Sequence, residues 1–199
     1  GTQAILPLRG KILNVASAGA GKLAQNQELS DLLQALGCGA GAKYRDEDLR
    51  YERVIVMTDA DVDGAHIASL LLTFFYREMP ELIERGHLFL AMPPLYRLTQ
   101  GAKTIYARDD ADRERILKKE FRSGAKVEVS RFKGLGEMMP AQLKETTMKP
   151  GHRTLIRVEI ARGEEKATEA LFERLMGKKP ELRFQFIQEN AQFAKDVDV

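Results

Sequence analysis

A short apolar, β-branched run, Val54-Ile55-Val56-Met57, leads into three alternating aspartates, Asp59, Asp61 and Asp63, and then into Gly64 and a long helix-like stretch. The run, bounded by Arg53 and Thr58, suits a buried strand of a parallel sheet. Gly64–Arg85 reads as one helix, stopped by Gly86. Strand, acidic turn and helix in that order set an α/β plan, and open α/β sheets bind ligands beyond the carboxyl ends of their strands. Three carboxylates have no use in a core, because a buried unpaired charge is costly or is neutralised by a shifted pKa. In extended chain, side chains two apart point the same way at roughly 6.5–7 Å. Carboxylates so spaced can ligate one hard cation, or two neighbouring ones, in the oxygen-rich coordination that magnesium prefers. The competing reading is a polar turn that caps the following helix.

Two other metal or phosphate motifs share part of this spelling. An EF-hand loop starting at Asp59 would match Asp61, Asp63 and Gly64, but its twelfth position needs a bidentate Glu and holds Leu70. An aspartyl-phosphate phosphatase of the haloacid dehalogenase kind is disfavoured by Asp63 at its final position. Gly19-Ala20-Gly21-Lys22 is no P-loop, since Ala16 stands where the first Gly is required and Leu23 where Ser or Thr is.

The remaining segments alternate. Ile5–Val15 has an extended character broken by Pro7 and Gly10, and Ala16–Gly21 reads as loop. Gln27–Leu36 is predicted helical and ended by glycines. Strands are predicted at His87–Ala91, Tyr96–Thr99, Thr104–Ala107, Lys126–Phe132 and Thr154–Ile160. Asp109–Arg122 is predicted as a charged surface helix, and Glu164–Met176 and Pro180–Lys195 as a helical tail. With 199 residues, 44% hydrophobic and 30% charged, the chain can bury a core. Its formal net charge of only +2 means that any nucleic-acid contact must come from local clustering. The single cysteine, Cys38, excludes an internal disulfide and favours a reducing, cytoplasmic setting. The longest apolar run, Ile67–Tyr76, is too short to span a bilayer. The chain opens on Gly1, mid-pattern and without Met, which reads as a fragment.

The run Thr58–Ile67, Thr-Asp-Ala-Asp-Val-Asp-Gly-Ala-His-Ile, resembles the acidic signature of the TOPRIM domain in the B subunits of the bacterial type IIA DNA topoisomerases, gyrase and topoisomerase IV. Pro7–Val15, Pro93-Pro94-Leu95-Tyr96 and Arg131–Met138, Arg-Phe-Lys-Gly-Leu-Gly-Glu-Met, resemble further signatures of that family in the same order. The ending, from Arg183-Phe184 through Asn190 to Val199, looks closest to the topoisomerase IV branch. The resemblance implies a Rossmann-like, mainly parallel TOPRIM sheet lacking its first strand, over residues 1–125. Residues 126–199 form a C-terminal extension with the Arg131–Glu137 segment and a small helical tail.

The resemblance also implies roles. Asp59 and Asp61 become Mg2+ ligands that neutralise the scissile phosphate, and Asp63 a third ligand or an outer partner. The family's general acid/base Glu lies in an earlier Glu-Gly-Asp-Ser segment that does not precede Gly1 here, and the attacking tyrosine belongs to the A subunit of the topoisomerase. None of the five tyrosines is then a nucleophile, and Tyr96 packs beside its proline pair. ATP is expected only at a separate upstream domain, and the partners are double-stranded DNA and the A subunit. Lys11 and Asn14 are expected to meet DNA, as is His66 in the first helical turn after the aspartates. Arg131 and Lys133 flank Phe132 in a basic stretch, and Arg183 is a further DNA candidate. The alternatives are a fragment of a gyrase B subunit, a stand-alone TOPRIM-type nuclease or primase-like enzyme, and a non-catalytic module that docks DNA and the A subunit. The nuclease would need a catalytic Glu in a strand before Asp59, and Glu28 falls on a predicted helix.

Overall fold

Strands form where β-branched and aromatic residues cluster and helices where apolar residues recur at helical spacing, in the computed structural model, which describes residues 2–122, 124 and 126–191. The chain divides into two compact units. The first gathers the chain up to Glu52, Ser69–His87 and the chain from Glu159; the second gathers Arg53–Ala68 and Leu88–Val158.

In the first unit, α1 (Ala20–Gln25) and α2 (Gln27–Leu36) follow an irregular opening segment. The predicted loop at Ala16–Gly21 therefore turns helical from Ala20. The bounds of α2 match the expected ones because both signals are local. Asn26 caps the start by accepting the Leu29 N–H at 3.0 Å, and Gly37 leaves the helix in left-handed conformation at φ 78°. Leu29, Leu32 and Leu36 form the buried face of α2.

The predicted single helix Gly64–Arg85 is two helices, α3 (Val62–Glu78) and α4 (Pro80–Glu84). Pro80 supplies no N–H and disfavours helical backbone in the residue before it. Met79 accordingly sits at φ −145°, ψ 52°, and a new helix starts at the proline. Leu70, Leu71, Phe74, Phe75, Met79, Leu82 and Ile83 are all buried. Thr73, fully buried among them, is satisfied by donating its hydroxyl to the Ser69 carbonyl at 2.7 Å.

In the second unit one three-stranded sheet has the order β1 (Val54–Val56), β2 (Leu88–Ala91), β6 (Leu155–Arg157). The β1–β2 pair is parallel, with Ile55 opposite Phe89, whereas β6 runs antiparallel to β2. The other sheet, β4 (Lys103–Ala107), β3 (Tyr96–Gln100), β5 (Glu128–Arg131), is antiparallel throughout. Parallel pairing is thus confined to the two strands nearest the aspartates, and β1 is an edge among the described strands.

The antiparallel sheet lays Tyr96, Leu98 and Ala107 against Ile116 of α5 (Asp110–Lys119). Tyr96 is buried in this core, and its hydroxyl donates to Asp110 at 2.7 Å. A short helix α6 (Pro140–Leu143) and one wide π-type turn, Lys144–Met148, lead on to β6.

The tail, back in the first unit, consists of α7 (Glu165–Met176) and α8 (Pro180–Asn190). Tyr76 of α3 stacks on Phe172 of α7 at 4.3 Å, and Arg77 pairs with Glu169 at 3.0 Å. The part of the expected last helix beyond residue 191, and with it the family-like ending through Val199, lies outside the described residues.

Candidate metal centre

β1 stops at Val56, and the backbone bends at residues 60 and 61 before α3 begins at Val62. Two contacts explain this local path. Asp61 caps α3, its carboxylate accepting the Gly64 N–H at 2.7 Å while its carbonyl accepts the Ala65 N–H at 3.0 Å. Gly64 is where the first helical turn folds back on the strand end. A Cβ there would stand 2.0 Å from the Asp59 carbonyl oxygen and 2.7 Å from its carbon, so only glycine fits.

Asp59 is held from far along the chain. Its Oδ1 accepts the Leu135 backbone N–H at 2.8 Å. Gly134 lies flat against the carboxylate, where an added Cβ would be 3.1 Å from Asp59 Cγ and Oδ1. The Lys133–Glu137 segment is in turn closed on itself, with the Lys133 N–H donating to Glu137 Oε2 at 2.6 Å around a short 3₁₀ turn at Leu135–Glu137. Ala60, Pro93, Pro94, Phe132 and Met138 line a small apolar hollow beside this segment.

All three aspartates are exposed. Exposed carboxylates keep their access to solvent, and the expectation that burial itself demands a cation there does not hold. The extended-chain spacing also ends early: Asp63 lies inside α3, where side chains two apart do not share a face with Asp61. Among the described residues no three His, Cys, Asp or Glu side chains gather closely enough to hold a metal by themselves. Mg2+ can be bound by one or two carboxylates together with waters and a phosphate of the substrate, a mode that needs no such cluster. Asp59 and Asp61, hard oxygen donors each using one oxygen in a described bond, fit such a pair.

The other expected site residues fall in both units. His66 is exposed on the first turns of α3, Arg131 ends β5, and Lys133 is exposed in the turn that reaches Asp59, all in the second unit. Lys11, Asn14 and Arg183 belong to the first unit. Lys11 is exposed on irregular backbone. Asn14, also expected to meet DNA, donates its side-chain amide to the Met176 carbonyl at 2.9 Å and accepts the Ala16 N–H at 3.1 Å. Arg183 reaches the Gly177 carbonyl at the end of α7, at 3.4 Å. The phenols of Tyr44, Tyr76 and Tyr96 donate to Asp46, Glu169 and Asp110. For Tyr44 and Tyr76, burial and then the carboxylate push the phenol pKa up; for Tyr96 the carboxylate leads. Sequence reading did not single out Gly64, Gly134, Leu135 or Glu137 as parts of this site. The paired glycines of Lys133-Gly-Leu-Gly-Glu137 were the available signal.

Residues 1–93 match the Toprim domain, and residues 124–188 match the DNA gyrase B subunit, carboxyl terminus. The chain is 70% identical over 198 residues to the B subunit of DNA topoisomerase 4 from Caulobacter vibrioides and 61% over 197 to that from Bartonella bacilliformis. It is 50% identical over 197 residues to the B subunit of DNA gyrase from Halalkalibacterium halodurans. Each alignment takes in 99% of this chain but only 28% of the two topoisomerase 4 proteins and 30% of the gyrase protein, so the chain spans under a third of these relatives. An acidic turn on a parallel strand pair, the glycine-rich segment that grips it, and this similarity from end to end place the chain in the family of topoisomerase IV and gyrase B subunits.

Proposed function

We propose that this chain is the magnesium-binding and DNA-contacting part of the B subunit of an ATP-dependent type IIA DNA topoisomerase, most like topoisomerase IV. In that role it supports double-strand cleavage, strand passage and religation together with the A subunit, in the cytoplasm. Residues 1–125 supply the partial TOPRIM domain and 126–199 its extension. ATP acts at a domain outside this chain, and the acid/base Glu and the nucleophilic tyrosine also come from outside it.

The observation that carries the reading is Asp59, at the end of the parallel strand pair, fixed by the Leu135 amide with Asp61 two residues on. Asp59 and Asp61 would hold Mg2+, with Asp63 a third ligand or an outer partner; the ion would supply positive charge at the scissile phosphate and leaving oxygen. The chain's own part is to set the carboxylates at the strand end before DNA arrives, which spares reorganisation during the reaction. The N-terminus of α3 adds backbone N–H dipoles suited to a phosphate. His66 stands on the first turns of that helix, and Lys11, Arg131, Lys133 and Arg183 position the duplex through its backbone. Asn14 is a further DNA contact in this reading, and its amide also ties the Pro7–Val15 segment to α7.

The test is plasmid cleavage by the full-length protein reconstituted with the A subunit. Asp59→Asn is expected to lose magnesium-supported cleavage by orders of magnitude while still binding DNA, because metal stabilisation of phosphate charge contributes several kcal/mol. Wild-type cleavage by this variant would overturn the assignment.

A further inference from the structure

We propose that Glu137 is a positioning residue for the metal centre, its carboxylate latching the Lys133–Glu137 turn so that the Leu135 N–H is aimed at Asp59. The inference rests on the magnesium reading above and adds to it a residue that touches neither metal nor DNA.

Three observations converge. First, the contact between Glu137 Oε2 and the Lys133 N–H is short, 2.6 Å, as befits an ionised acceptor. Glu137 is exposed, so this bond is made in competition with water, and it is the carboxylate's described partner. Second, the latch spans a stretch whose second and fourth residues are Gly134 and Gly136, the residue type with the most backbone freedom to lose. The Glu137 and Met138 amides add two long 3₁₀ bonds, both 3.2 Å, to the Gly134 and Leu135 carbonyls. Buried Phe132, whose N–H donates to the Leu95 carbonyl at 2.8 Å, and buried Met138 anchor the two flanks, while between them the glycine-flanked turn is closed by these weak backbone bonds and the Glu137 latch. Third, the residue inside the loop is the one whose N–H meets Asp59 Oδ1, while Gly134 rests on the same carboxylate.

Closing the turn therefore fixes a donor, and the donor fixes the rotation of Asp59. Oδ1 is committed to the amide, and Oδ2 is left to a cation. An unlatched turn lets Leu135 wander, and Asp59 must then be ordered at the moment the ion binds. Groups that orient a metal ligand without touching the metal are worth about 10- to 100-fold in affinity.

The reach of the side chain and its charge can be separated. Glu137→Asp keeps the charge but is one methylene short of the Lys133 amide, Glu137→Gln keeps the reach and an acceptor oxygen without the charge, and Glu137→Ala keeps neither. Because the side chain is exposed, none of these changes opens a cavity.

Mn2+, as a spectroscopic probe for Mg2+, is titrated into the full-length protein and followed by electron paramagnetic resonance. Hydrogen exchange of the peptide containing Leu135 is measured on the same samples. Glu137→Ala and Glu137→Asp should both weaken Mn2+ binding by about tenfold and speed exchange at Leu135, while Glu137→Gln stays within about threefold of wild type. In cleavage assays the magnesium concentration at half-maximal cleavage should rise in the same order, with cleavage at saturating magnesium nearly restored. Unchanged Mn2+ affinity in Glu137→Ala and Glu137→Asp, or a loss in Glu137→Gln as large as in Glu137→Ala, overturns the latch. Asp59→Asn run alongside tells the two readings apart. If it abolishes Mn2+ binding while the Glu137 variants do nothing, only the latch falls; if it leaves binding intact, the metal reading falls and the latch with it.

Discussion

The Leu135 N–H donates to Asp59 Oδ1 across 76 positions of sequence, at 2.8 Å, and it joins the end of β1 to the glycine-rich segment after β5. The bond lies wholly within the second unit, as do Asp61 and Gly64. The acidic turn is thus a built structure with defined supports, and each support makes a different prediction.

Asp61 has two roles that substitution can separate. Asn caps a helix as well as Asp does, so Asp61→Asn should keep the α3 cap and unfold within about 0.5 kcal/mol of wild type, whereas Asp61→Ala should cost about 1 kcal/mol. Both should lose magnesium-supported cleavage in the complete complex. Equal destabilisation by Asn and Ala in denaturant titrations would refute the cap; retained cleavage in either would refute the ligand.

Gly64 and Gly134 both approach Asp59, and they should fail differently. At Gly64 a Cβ meets backbone at 2.0 Å, which no rotamer relieves, so Gly64→Ala should destabilise by on the order of 1–3 kcal/mol or more. At Gly134 a Cβ meets a side chain at 3.1 Å, on extended backbone that any residue adopts. Gly134→Ala should therefore melt near wild type but cleave poorly, as Asp59 turns aside. An unchanged melting temperature for Gly64→Ala would contradict the geometry.

Lys11 is a test of positioning rather than chemistry. If it meets a phosphate, Lys11→Ala should weaken binding alike on unrelated duplexes and lower the slope of log K against log salt by about 0.9. An unchanged slope, measured by fluorescence anisotropy over several salt concentrations, would remove Lys11 from the interface.

Asp112 should shape the acid limb of stability. Burial pushes its carboxyl up, but the Arg115 guanidinium at 2.6 Å, the Arg108 N–H at 3.1 Å and the charges of both arginines outweigh this and hold it below the usual carboxylate range. A depressed folded-state pKa gives stability that is present above the unfolded pKa and lost as pH falls through the folded one. Asp112→Asn should therefore be less stable than wild type at neutral pH, and the gap should close below about pH 4, near the unfolded carboxylate value. A gap that does not narrow at all as pH falls below the unfolded carboxylate value in urea titrations would show that the ion pair is not the cause.

What could be read from sequence was what is decided locally. Asn26 and Gly37 bracket α2 at the expected residues, and Val54–Val56 announces itself by composition. Pro80 was as local a signal, yet the apolar periodicity running through it hid the break between α3 and α4. The acidic turn was legible as chemistry but not as architecture. The end of extended spacing at Val62 follows from the Asp61 cap, but the Leu135 grip depends on where distant chain passes. Asn14 shows the same limit, since Met176, which takes its amide, lies 162 positions away.

The chain leaves one compact unit for the other at residues 52/53, 68/69, 87/88 and 158/159. On a ribosome, every described segment of the second unit has been made by Val158, while the first unit still lacks α7 and α8. The unit that holds Asp59, Leu135 and Glu137 is thus complete in sequence before the other. Here a later segment sets the schedule: Tyr76 and Arg77 wait for Phe172 and Glu169, so a chain stalled before α7 leaves the second half of α3 without these partners.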